Sequence, residues 1–211
     1  MNVLPATVIA ARAARAAFWR AALRLSAWFA LVFYGADALT SMHTLRLSVF
    51  ADWELAIPYW PAAYPLYLSV LALPFVVGWL AREPAEVQRW ERRMAVVIAV
   101  AGVAFVLLPA APGYAPADAG AWQPWATFTR WAAGRHNLLP SLHVALALVT
   151  VRAAWPRAGP TLRAVLATWL AALMASVLLT HQHHVADVVA GVVLGGWRWR
   201  ATPSSARDTS G

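Results

Sequence analysis

The chain has 211 residues, 61% of them hydrophobic and 12% charged, with a mean hydropathy of +0.57, a composition too apolar for an ordinary soluble fold. Its net charge of +8 rests on 17 basic residues, all arginine. These flank apolar runs instead of forming one basic face, so the charge reads as membrane topology and not as a nucleic-acid surface. The absence of cysteine excludes disulfides, thiol catalysis and cysteine metal sites.

In chain order, residues 1–21 read as a basic amphipathic cytoplasmic segment carrying Arg12, Arg15 and Arg20, with no small-residue cleavage site after the first apolar stretch. Apolar runs then predict spans near 22–40, 62–81, 94–110, 138–155, 162–180 and 183–199, several of them close to the lower length limit for crossing a bilayer. The expected fold is all-α, a six-transmembrane-helix bundle over 22–199, followed by a small polar tail, 200–211, expected to be disordered. Fourteen of the 17 arginines fall on the side of the N-terminus, the 82–93 and 152–163 connections and the tail. Only Arg46, Arg130 and Arg135 fall on the other. That imbalance places both termini in the cytoplasm. The outer connections, 41–61 and 111–137, are rich in Trp, Tyr and Pro, residues suited to the headgroup layer.

Polar chemistry collects at the outer end of the last third of the chain. One cluster is Asn137-Leu138-Leu139-Pro140-Ser141-Leu142-His143; the other is Thr180-His181-Gln182-His183-His184-Val185-Ala186-Asp187. Each opens a span that runs inward, which puts two helix N-termini at one membrane face, where unpaired N–H groups favour an anion. Pro140 suits a first helical turn, Asn137 and Thr180 are expected caps, and His183 and Asp187 share a helical face at i, i+4. A carboxylate so placed fixes one imidazole tautomer and frees the other nitrogen for attack, while a second histidine can protonate a leaving oxygen. Histidines at span ends are also common as plain interfacial residues. Asp187 is the stronger signal, because a carboxylate inside an apolar helix is costly unless paired.

The two clusters resemble the signature of the type 2 phosphatidic acid phosphatase superfamily, especially its branch related to fungal inositol phosphorylceramide synthase. Pro140, Ser141 and His143 match its Pro-Ser-x-His motif. Ser176, Thr180, Gln182, His183 and Asp187 match the third motif of that branch. The resemblance covers about residues 105–195. It implies that His183 is the nucleophile forming a phosphohistidine, Asp187 its orienting carboxylate, His143 the acid that releases the alcohol and Ser141 a phosphate ligand. It also implies no metal and no other cofactor. The substrate would be a lipid phosphate met in the membrane, with the active site outside the cytoplasm, and no nucleic-acid partner is expected.

Two departures bear on phosphate binding. The superfamily's Lys-x6-Arg-Pro motif is absent, and Ser176 is followed by Val177 where the family has Arg. His181, Arg135 and Arg130 are the candidate substitutes, Arg being suited to bidentate phosphate contacts; Asp37, near the outer end of the first span, could face the same cavity. Water as acceptor would make a phosphatase and a lipid hydroxyl or sugar would make a phosphotransferase. From a different class, His181, His183 and Asp187 could ligate a transition metal in a transporter or sensor. A lipid-binding relative without turnover is a third reading.

Overall fold

A computed structural model describes residues 5–134 and 136–197. Eight α-helices succeed one another: α1 (Ala6–Ser41), α2 (Tyr64–Leu68), α3 (Pro74–Leu80), α4 (Pro84–Leu107), α5 (Gln123–Ala133), α6 (Leu142–Ala154), α7 (Pro160–Leu179) and α8 (Val185–Gly196). Proline opens α3, α4 and α7 within the first turn, where its missing N–H costs no helical bond. Among the described residues three stretches are long and apolar enough to cross a membrane: α1, the run Pro61–Leu80 that contains α2 and α3, and α7. The helix α1 has 36 residues and continues unbroken through the basic N-terminal segment. The amphipathic α5 lies in the connection 111–137, where no helix was expected.

Packing starts with the pair α1 and α4. Ala14, Phe18, Ala21 and Leu25 recur at helical spacing and are buried, giving α1 an apolar stripe that meets Val87, Trp90, Met94 and Ile98 of α4. Arg24 grips Glu91 with two bonds of 2.6 and 2.8 Å, Trp28 Nε1 donates to the Ala95 carbonyl, and Thr40 Oγ1 donates to the Phe105 carbonyl. Partners rise together along both chains, so α1 and α4 run in the same direction.

The pair α6 and α8 is likewise parallel and closer still. A Cβ on Gly191 would stand 2.6 Å from the Ser141 carbonyl oxygen, and one on Gly195 would stand 2.5 Å from that of Ala145. The four-residue spacing of these glycines is the small-residue pattern that lets membrane helices touch backbone to backbone. Arg152, at the end of α6, donates to the carbonyls of Gly195 and Gly196, satisfying acceptors left open at the C-terminus of α8. Trp90 Nε1 donates to Thr150 Oγ1, joining the start of α4 to the far end of α6. The two parallel pairs therefore point in opposite directions.

The last helices are shorter than the sequence suggests, 13 residues for α6 and 12 for α8. At 1.5 Å per residue each covers about 20 Å, less than the ~30 Å hydrocarbon layer. The reason is local. Segments 137–141 and 180–184 are not helical, and irregular backbone at membrane depth is tolerated where protein surrounds it.

Candidate active site

The residues preceding α6 are held by the rest of the bundle. Asn137 does not cap the helix; its Nδ2 donates to the Phe33 carbonyl of α1 at 2.7 Å, which ties the segment to its neighbour. Ser141 takes the position before the first turn, and its carbonyl accepts the Ala145 N–H at 3.1 Å. His143 therefore stands in the first turn of α6. Ser141 is buried, and its Oγ has no hydrogen-bond partner among the described residues.

Thr180 is also not a cap for the helix that follows. It closes α7, its Oγ1 donating to the Ser176 carbonyl at 2.7 Å. His181 then adopts φ +57°, a left-handed conformation uncommon for a residue with a side chain, and the chain reverses. The helix α8 begins only at Val185, so His183 precedes it and is not one turn above Asp187 on a common face. The pair still meets, with His183 Nδ1 3.4 Å from Asp187 Oδ2. The same oxygen accepts the His184 N–H at 2.9 Å, so Asp187 folds back over the start of its own helix. The two motifs touch directly where the Ser141 N–H donates to the Asp187 carbonyl oxygen at 2.9 Å.

Across this junction the rings of His143 and His183 lie 6.2 Å apart between centroids, inclined at 59°. Tyr67 of α2 backs His143, its Oη 3.3 Å from Nδ1 and its ring 4.2 Å away. A cleft of about 30 Å³ opens between the histidines, with Tyr67, Asn137 and Gln182 in its wall. Both histidines keep Nε2 for chemistry, since Nδ1 faces Asp187 in one and Tyr67 in the other.

A second assembly braces the first from the connections that follow α1 and α4. Glu54 is buried; its Oε1 accepts the Ala51 N–H at 3.0 Å and its Oε2 the Val185 N–H at 2.7 Å. A loop carboxylate thus satisfies a free donor at the N-terminus of α8. His184 Nε2 accepts the Gly113 N–H at 3.1 Å, which leaves the ring proton on Nδ1, 3.4 Å from Glu54 Oε2. Phe50 and Tyr114 stack on the two faces of His184, each at 4.4 Å, and Tyr114 also stacks on His181 at 3.8 Å. Burial, with the Glu54 and Asp187 carboxylates nearby, raises the Tyr114 phenol above its ordinary pKa.

Of the residues singled out from the sequence, His143, His183, Asp187 and Ser141 come together here. His181 turns to the other side of the reversal, its Nε2 2.9 Å from the Ile57 carbonyl. Among the described residues no three His, Asp or Glu side chains converge as metal ligands, and His181 does not join His183 and Asp187. Arg130 is exposed on α5, and Arg135 lies outside the described residues. Asp37 accepts the His136 N–H at 2.9 Å and so fastens the segment leading to the first motif. Sequence reasoning passed over Tyr67, Glu54 and Tyr114. Tyr67 carried no signal beyond an aromatic near a span end, whereas Glu54, an acid in an aromatic loop, offered one.

A sequence profile of the PAP2 superfamily matches residues 43–200, which takes in both motifs and every helix after α1. The chain belongs to the PAP2 superfamily. Searches of curated proteins and of solved structures return no match. Membership in the PAP2 superfamily supports an enzyme of the phosphatase type, acting as phosphatase or phosphotransferase on phosphate esters.

Proposed function

We propose that this PAP2 protein is a polytopic membrane enzyme that cleaves the phosphate ester of a lipid at the extracytoplasmic face through a phosphohistidine on His183. The observation that carries the reading is the meeting of His143 with the His183–Asp187 pair, from two separate helices, around one cleft. The opposed parallel pairs, α1 with α4 and α6 with α8, support six segments of alternating direction. The pairing of Arg157 with Glu86 and of Arg24 with Glu91 gathers arginine-bearing segments at the end remote from the histidines. By the positive-inside rule that end is cytoplasmic.

The chemistry follows from the two free nitrogens. Asp187 holds the His183 proton on Nδ1, leaving the Nε2 lone pair to attack phosphorus. The ester P–O bond breaks as the N–P bond forms, and the leaving oxygen takes the proton from His143 Nε2. His143 enters this step as imidazolium, its Nδ1–H donating to Tyr67 Oη, so that losing the Nε2 proton leaves a neutral ring. Water or an alcohol then attacks phosphorus, His143 accepts its proton, and His183 is freed. The positive ends of α6 and α8 and the Ser141 hydroxyl offset phosphate charge. Arg130 and Arg135 remain the proposed cationic contributors, from the connection before α6; His181, held on the Ile57 carbonyl, is not one of them.

The test is to incubate purified protein with a panel of radiolabelled lipid phosphates and follow the label. Release as inorganic phosphate identifies a phosphatase, and transfer to a second lipid or polyol identifies a phosphotransferase. Brief exposure should leave acid-labile, base-stable label on the protein, lost in His183→Ala. A parent protein that neither releases nor transfers label overturns the reading.

A further inference from the structure

A much larger cavity adjoins the histidine cleft. It measures about 590 Å³ and runs between α1, the segment 70–75, α4 and α6. Its upper end shares Phe33, Leu142 and His143 with the cleft, so the two spaces meet at the ring proposed to protonate the leaving oxygen. From Phe33 it descends along α1 to Phe18, fifteen residues or about 22 Å of helix. The floor is aromatic: Phe18 packs on Trp90 at 5.8 Å and on Phe75 at 5.9 Å. Trp19, Leu23, Leu71 and Phe75 rim the cavity and are exposed, leaving a side opening toward the surrounding lipid.

We infer that this cavity holds the hydrocarbon tail of the phosphorylated substrate, and that the tail is a single chain. The inference rests on the proposed function and specifies its substrate class. Three observations carry it. The cavity shares Phe33, Leu142 and His143 with the wall of the catalytic cleft, its walls are almost wholly apolar, and its length and volume suit one chain. An apolar cavity of ~150 Å³ takes one benzene ring, so about 590 Å³ takes on the order of two dozen carbon atoms. That accommodates one long alkyl or prenyl tail and not the two acyl chains of a phosphatidate. A tail in this groove enters sideways from the bilayer, lies along α1, and presents its phosphate ester between His143 and His183.

The small residues Ala22 and Ser26 line the groove midway down α1, so Ser26→Phe should block its lower half without touching the histidines. The full-length protein in nanodiscs is assayed with single-chain alkyl phosphates from hexyl to eicosyl and with a diacyl phosphatidate. The parent's kcat/KM should climb with chain length and be lower for the diacyl lipid. Ser26→Phe should lose at least about tenfold on the long chains and keep hexyl phosphate turnover. Unchanged length dependence in Ser26→Phe, or a preference for the diacyl lipid, overturns the tail site while leaving the phosphatase reading intact. A second measurement needs no turnover: a long alkyl phosphate with a diazirine at its tail end should label the Phe18–Leu25 and Val70–Phe75 segments. Labelling confined to other segments overturns the tail site whatever the activity shows.

Discussion

Gly191 of α8 lies against Ser141, so near that a methyl group on it would press into the Ser141 carbonyl oxygen at 2.6 Å. The obstacle is main chain, which cannot rotate aside. Gly191→Ala should force α6 and α8 apart, with an overpacking cost of about 1–3 kcal/mol and misalignment of His143 against His183. Thermal unfolding and turnover should both fall. Gly196→Ala is the internal comparison: its nearest neighbour would be Leu148 Cδ2 at 3.7 Å, an ordinary contact, and both measurements should stay at parental values.

The roles of the two histidines separate by leaving group. His183→Ala should abolish turnover of alkyl and aryl phosphates alike. His143→Ala should lose about a hundredfold or more with an alkyl phosphate and much less with nitrophenyl phosphate, whose leaving oxygen needs little protonation. Equal losses on both esters in His143→Ala would remove it from the acid role.

Tyr67→Phe keeps the ring packed on His143 and deletes only the hydroxyl 3.3 Å from Nδ1. One hydrogen bond of ordinary strength, about 0.5–1.5 kcal/mol, then no longer orients the His143 ring. The expected loss is roughly two- to tenfold in kcat with KM unchanged, checked by steady-state kinetics on an alkyl phosphate.

Glu54 acts on the site through the main chain of α8 and through His184. Glu54→Ala should leave the partly buried Val185 N–H without its acceptor and remove the carboxylate beside the His184 ring, a cost of about 1–3 kcal/mol, with lower activity. Glu54→Gln keeps one carbonyl oxygen and should retain more of both. If Glu54→Ala lowers stability but leaves turnover of the folded fraction untouched, the loop carboxylate does not position the site.

At the opposite end, Arg157 bonds Glu86 through Nε at 3.0 Å and through a second guanidinium nitrogen. Partial burial disfavours the Glu86 charge, but the bonds from Arg157 and the Arg82 N–H outweigh it and hold this carboxyl below its ordinary pKa. A lowered carboxylate pKa stabilises the fold above the unfolded-state value, and that contribution is lost as pH falls through the folded-state value. Thermal unfolding of the parent should therefore drop through the acid range, and Glu86→Gln should flatten that drop.

Chemistry was more legible in the sequence than geometry. Pro140, Ser141, His143, His183 and Asp187 stand out because polar residues near apolar spans are costly, and the PAP2 match covers all of them. Asn137 and Thr180 misled as caps for a physical reason: a residue type that favours helix ends also satisfies any nearby carbonyl, and here Phe33 and Ser176 supplied one. Periodicity could not reveal that α6 starts late, because Leu138 and Leu139 ahead of it are as apolar as the helix. Tyr67 and Glu54 reach the site across 76 and 131 residues of sequence, distances at which no local pattern speaks.

The helix α1 invites one more consequence. A rod of 36 residues measures about 54 Å end to end, against a hydrocarbon slab of ~30 Å. Upright, it must overshoot; leaning, it can recover only part of the excess. In the proposed six-span arrangement Arg12 and Arg15, both exposed near its beginning, stand among headgroup phosphates or beyond them, a cationic collar that resists drawing the shaft deeper into the bilayer.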